Sequence, residues 1–121
     1  DTNNTNKIYG GNYSGSWYTT SPGYSASAGT WYHITLTQGD NASGNAPSQK
    51  LYVNGQLVAS GTSAALYSSG GVYRIARRWD SPLTADNMFP GDIGIVRVYN
   101  TALTSTQISN NFTQERARFG L

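Results

Sequence analysis

The chain has 121 residues, enough for one domain, and a formal net charge of +2. Charged residues make up 12%, against roughly 25% in an average globular chain, so the surface must be wetted by Ser, Thr, Asn and Gly. Nine Tyr, three Trp and three Phe exclude the aromatic-poor composition of a disordered chain. Two lysines and six scattered arginines exclude an electrostatic nucleic-acid binder, and the absence of Cys excludes a disulfide framework or a thiolate zinc site.

The chain starts at Asp1, without a signal peptide or an apolar run approaching the roughly 18–20 residues of a membrane span, and is expected to be processed or cut from something longer. Residues 7–9 and 16–20 read as short strands joined by Gly-rich turns. Residues 30–37 are β-branched and aromatic; Trp31, His33 and Thr35 point one way and Tyr32, Ile34 and Leu36 the other, the second set making the better core face. In residues 50–60 two apolar runs flank Asn54-Gly55, and a type I′ turn needs φ > 0 at both central positions, which Asn and Gly supply at little cost. Residues 72–78 read as another strand. In residues 92–99, Ile93, Ile95, Arg97 and Tyr99 oppose Gly94, Val96 and Val98, which suggests a strand covered on both sides. A helix over about 104–118 is argued from its ends. Thr104 and Gln107 fit a capping box, Leu103 and Ile108 have the spacing of a hydrophobic staple, and Gly120 stops it. Polar loops fill 38–49, 61–71 and 79–90. The pattern is all-β with one terminal helix.

Trp31-Tyr32-His33-Ile34-Thr35, Leu51-Tyr52-Val53-Asn54-Gly55, Tyr73-Arg74-Ile75-Ala76 and Phe89 to Leu103 stand in the order of four motifs of the concanavalin A-like, laminin G-like jelly rolls. The chain resembles that superfamily from about residue 30 to 118, and its C-terminus is similar to such domains in virion proteins of tailed phages. The resemblance implies an antiparallel two-sheet jelly-roll sandwich with one short C-terminal helix. Residues 1–29 would supply the N-terminal strands and turns, and 30–121 the sandwich core with its helix. Only about thirty residues precede the Trp31 strand, so the sandwich is expected to be incomplete on its N-terminal side, inviting a neighbouring chain at the open edge. Where the family reads Ile-Asp-Glu-Val, this chain has Ile93-Gly94-Ile95-Val96 and loses two acids.

Glucanases of the superfamily need two carboxylates flanking the scissile bond. The acids here are Asp1, Asp40, Asp80, Asp86, Asp92 and Glu115, and none forms a Glu-x-Asp-x-x-Glu strand. A triad through His33 would lack a nucleophile elbow. The chain is therefore expected not to be an enzyme. The family-level expectation is sugar binding: aromatic stacking on pyranose C–H bonds, with polar groups fixing the hydroxyls. The candidate ligand residues are Trp79 with Arg77, Arg78 and Asp80 at one loop mouth, together with Tyr67 and Trp17; Tyr18 and Tyr24 are further loop aromatics. Calcium, if held, would take hard oxygens from Asp80, Asp86 and Asn87 or from Asp40. The expected role is a non-catalytic, surface-displayed recognition or adhesion module that binds glycans as part of a phage virion, located on the virion surface or outside a cell. Its partners would be a cell-surface glycan or neighbouring virion subunits, with self-association or a longer parent chain. An architectural virion protein is the alternative, and a glycoside hydrolase the remote one.

Overall fold

The computed structural model describes residues 6–13, 16–39, 48–62, 75–76 and 89–121. They fall into two compact units, one made of Asp1–Leu66 with Thr101–Leu121 and the other of Tyr67–Asn100. In the first unit the chain runs through β1 (Lys7–Ile8), β2 (Gly11–Tyr13), β3 (Trp17–Thr19), β4 (Tyr24–Ser25), β5 (Ile34–Gln38), β6 (Ser48–Val53), β7 (Gln56–Thr62) and α1 (Ser105–Glu115), which tightens into a 3₁₀ turn over Arg116–Phe119.

The centre is an antiparallel sheet in the order β5-β6-β7. Its β6–β7 hairpin closes through Asn54 (φ 51°) and Gly55 (φ 78°), both left-handed as a type I′ turn demands. Leu51 faces Ala59 but Tyr52 faces Leu57, so β7 carries an extra residue at Val58 and the ladder bends there. Asn54 has a second task. Its Oδ1 accepts from the His33 amide at 3.0 Å, and its own amide donates to the His33 carbonyl at 2.8 Å. One side chain thus sets the turn and clamps the chain entering β5. Asn54→Ala removes the clamp and places a Cβ-bearing residue without a local hydrogen bond at positive φ. An unfolding titration should show a loss of about 1–3 kcal/mol; a loss below about 0.5 kcal/mol would remove this role.

The N-terminal segment forms two nested pairs, β2 with β3 inside β1 with β4. Gly10 and Thr20 lock the inner pair: the Thr20 amide donates to the Gly10 carbonyl, and the Gly10 amide donates to Thr20 Oγ1. Beyond β3, the Ser21 amide donates to the Ser60 carbonyl at 3.0 Å and extends the central sheet past β7. The approach is close enough that a Cβ on Gly61 would come within 2.5 Å of the Thr19 carbonyl oxygen, which is why glycine stands there.

Leu51, Val53 and Ala59 form the buried core, with Ile8, Tyr24, Tyr32 and Val58 packed on it. Tyr24 and Tyr32 meet edge to face at 5.8 Å. This layer therefore binds the N-terminal strands to one face of the sheet. At the helix, the expected capping box is present: Thr104 Oγ1 accepts from the Gln107 amide, and Gln107 Oε1 accepts from the Thr104 amide. Ile108 is fully buried, and Gly120 (φ 69°) ends the 3₁₀ turn in the left-handed region. The far end of the helix is fixed by aromatic contacts, Phe112 with His33 at 5.9 Å and Phe119 with Trp31 at 5.0 Å between centroids.

Three strand expectations need correction. The strand expected at 30–37 begins at Ile34. Its Ile34 and Leu36 lie opposite Val53 and Leu51, on the core face as expected, yet they remain 49% and 41% exposed. The reason is position: β5 is the edge of the described sheet, and the N-terminal layer centres on β6. In the second unit, residues 92–99 form no strand or ladder among the described residues, with Ile93, Val96 and Val98 exposed. Apolar residues on both faces record that burial would be favourable; they do not supply the covering layers. The strand expected at 72–78 is interrupted at Ile75–Ala76. Ala76 has φ 63°, outside the β region, and its carbonyl accepts from the Phe89 amide at 2.8 Å. Residues 72–74 and 77–78 lie outside the described residues.

Candidate functional site

Trp17 is 61% exposed on β3, directly across the ladder from Tyr13. It has the accessibility that a stacking platform needs. Tyr18 is half-buried in the same strand, and Tyr24 is committed to the core against Tyr32, which removes Tyr24 from the loop aromatics. Tyr67, Arg77, Arg78, Trp79 and Asp80 lie outside the described residues, as do the calcium candidates Asp40, Asp86 and Asn87. Of the chain's carboxylates only Asp92 and Glu115 are described, one in each unit. Among the described residues no three His, Cys, Asp or Glu side chains gather where they could hold a metal. His33 is half-buried, clamped through its backbone by Asn54 and packed by its ring on Phe112.

The first unit contains a cleft of about 210 Å³ that sequence reasoning missed. The register pairs Thr37 with Lys50 and Thr35 with Tyr52, so these four share the sheet face opposite the Leu51 core. Thr37 and Tyr52, both buried, floor the cleft; Gly39, Ser48 and Lys50 form its rim. The chain from Ala102 to Ser105, entering α1, makes the opposite wall. The capping box holds that entry in place, because it fixes Thr104 in extended geometry (φ −71°, ψ 158°) immediately before the helix. The lining is hydroxyl-rich, with Thr37, Ser48, Thr104, Ser105 and the Tyr52 phenol, and among the described residues Lys50 is its charged side chain. Hydroxyls both donate and accept, so such a lining suits a polyhydroxylated ligand. The volume is below the roughly 300–1,000 Å³ of drug-sized pockets and suits one sugar residue better than an oligosaccharide.

The signal for half of this site lay in the alternation Thr35/Thr37 and Lys50/Tyr52, once β5 and β6 are paired in register. The other wall comes from a segment some fifty residues later, and no local pattern announces that encounter.

The chain belongs to the concanavalin A-like lectin/glucanases superfamily, whose laminin G-like family model matches residues 1–109. Its antiparallel sheets and single short C-terminal helix are the architecture expected of such a sandwich. Among solved structures it is similar to an S-layer domain-containing protein from Clostridium thermocellum ATCC 27405, determined at 2.1 Å resolution, with 19% identity and a TM-score of 0.52. That match covers 93% of this chain and 59% of the other, so the chain spans less than two thirds of its structural relative. No curated protein sequence matches the chain. Neither match carries a virion name, and the structural likeness speaks to fold alone. No helix among the described residues is long and apolar enough to cross a membrane.

Proposed function

We propose that this protein is a non-catalytic recognition module that binds glycans outside the cell, on a cell envelope or a virion. The observation that carries the reading is the cleft. A superfamily that contains lectins and glucanases here presents a hydroxyl-lined recess of sugar size, walled by the sheet face and the start of α1. Membership alone would not choose between binding and hydrolysis, because function resides in the site. The cleft lining named above contains no carboxylate, whereas glycoside hydrolysis needs a pair of them across the scissile bond. The extracellular setting is supported by the S-layer domain named in the structural relative; the virion part of the reading rests on the C-terminal sequence resemblance alone.

Separately from the cleft, the loop residues Trp79, Arg77, Arg78 and Asp80 with Tyr67, and the exposed Trp17, are proposed as further sugar-contacting residues. Aromatic rings there would stack on pyranose faces and the charged groups would fix hydroxyls. Asp80, Asp86 and Asn87, or Asp40, offer the hard oxygen donors that calcium takes, and calcium is proposed as an optional structural ion. A glycan array read with and without calcium, with free-sugar competition, tests the proposal. Saturable sugar binding supports the function, and a several-fold weakening in Trp79→Ala supports the loop residues as contacts. Unchanged affinity in that variant removes the loop site, and no binding at millimolar sugar removes the function.

A second reading has one observation behind it. Ile93, Val96 and Val98 are exposed in the second unit, Val98 by 68%, and an apolar run of that kind is what a neighbouring subunit covers. On that reading the protein is an architectural element, self-associated or part of a longer chain. Tight oligomers together with no sugar binding would favour it.

A further inference from the structure

We propose that the cleft prefers sugars carrying a carboxylate, of which uronic acids are the simplest class, over neutral sugars of the same shape. The inference rests on the reading of the cleft as a glycan site and goes beyond it by assigning the charge of the ligand. Lys50 stands on the cleft rim, placed on that face by its backbone register with Thr37. The ammonium donates three hydrogen bonds and accepts none. It therefore favours acceptor oxygens, and anionic ones most, since a charge-assisted bond is roughly twice as strong as a neutral one.

Among the described residues the rest of the lining neither cancels nor duplicates that charge. Thr37, Ser48 and Ser105 carry neutral hydroxyls that serve donors and acceptors alike, while the Thr104 hydroxyl is engaged with Gln107. The first turn of α1 contains no acidic residue. Glu115, the described side-chain carboxylate of this unit, does not line the cleft. At the helix end the Gln107 amide is taken by Thr104 Oγ1 and the Ile108 amide by the Thr104 carbonyl; the lysine variants below separate the contribution of Lys50 from that of the other helix-end amides. The lysine is what distinguishes an acid from an alcohol at this rim. Because Lys50 is exposed, solvent screens the pairing, and the preference should be about two- to fivefold, as for exposed ion pairs.

The test compares three probes of one shape in each of the gluco and galacto series: the neutral sugar, the uronic acid, and the methyl ester of that acid. Binding is titrated by calorimetry or amide chemical shifts at 0.05 M and 0.5 M salt. The acid should bind about two- to fivefold tighter than its ester at low salt, and the ratio should shrink at high salt as screening shortens. In Lys50→Gln the acid-to-ester ratio should fall to about one, while Lys50→Arg should keep it. Thermal unfolding of each variant establishes that the fold is intact. Equal binding of acid and ester by the wild type, or a preference that survives Lys50→Gln, overturns this inference and leaves the glycan site standing. Failure of all the probes to bind overturns the glycan reading itself, and this inference with it.

Discussion

Leu51→Ala is expected to lower the unfolding free energy by about 2–5 kcal/mol, the range for truncating a buried leucine. Leu51 is 1% exposed in the middle of β6, the strand with neighbours on both sides. Its side chain belongs to the cluster on which Ile8, Tyr24, Tyr32 and Val58 pack. Those partners come from β1, β4, the chain entering β5, and β7, so a void at Leu51 loosens the attachment of the N-terminal layer as well as the sheet. The surrounding residues cannot easily close it. Tyr24 and Tyr32 are held edge to face, and the Tyr32 hydroxyl accepts from the Ser27 amide at 3.0 Å. Domains are stable by only about 5–15 kcal/mol, so the variant should melt far earlier or fail to accumulate. Leu57→Ala is the internal control: at 53% exposure on β7 it has less apolar surface to lose and should cost clearly less. Denaturant titration of both reads the difference. Equal losses in the two variants would mean that the core is not centred on β6.

Ser105→Trp is expected to abolish sugar binding while leaving the fold in place. Ser105 is the first residue of α1 and lines the cleft from the helix side. It is exposed, so a larger side chain need not displace the core, and the capping bonds belong to Thr104 and Gln107. An indole placed there occupies much of a recess of about 210 Å³. Affinity should drop at least tenfold, with the melting temperature within a few degrees of wild type. Sugar affinity unchanged in a folded Ser105→Trp protein would move the binding site elsewhere, first to the Trp79 loop.

The parts of the fold that were legible in the sequence are those whose physics is local. Asn54-Gly55 announces its turn because two consecutive residues must adopt positive φ, and the Thr104/Gln107 box announces the helix start because both partners lie within four residues. The superfamily was legible from four motifs in order. Less legible were features set by distant neighbours. Ile34 and Leu36 read as core residues and do share the Leu51 face, but an edge position leaves them half-exposed. Residues 92–99 carry the composition of a buried strand without a ladder among the described residues. The cleft escaped notice for a related reason. Thr37, Lys50 and Tyr52 look like ordinary outward strand positions until the entry to α1 closes over them. The sequence favoured exposed aromatics as the site instead, and of the six residues chosen for it only Trp17 is described, exposed as that choice requires.

The most direct measurement is an amide correlation spectrum recorded while a uronic acid is titrated into the folded protein. A glycan-binding cleft predicts saturable shifts that begin at Thr37, Gly39, Ser48, Lys50, Tyr52 and Ala102 to Ser105, with the Leu51–Ala59 core amides moving little. A spectrum unchanged through tens of millimolar of both gluco and galacto probes would contradict the account.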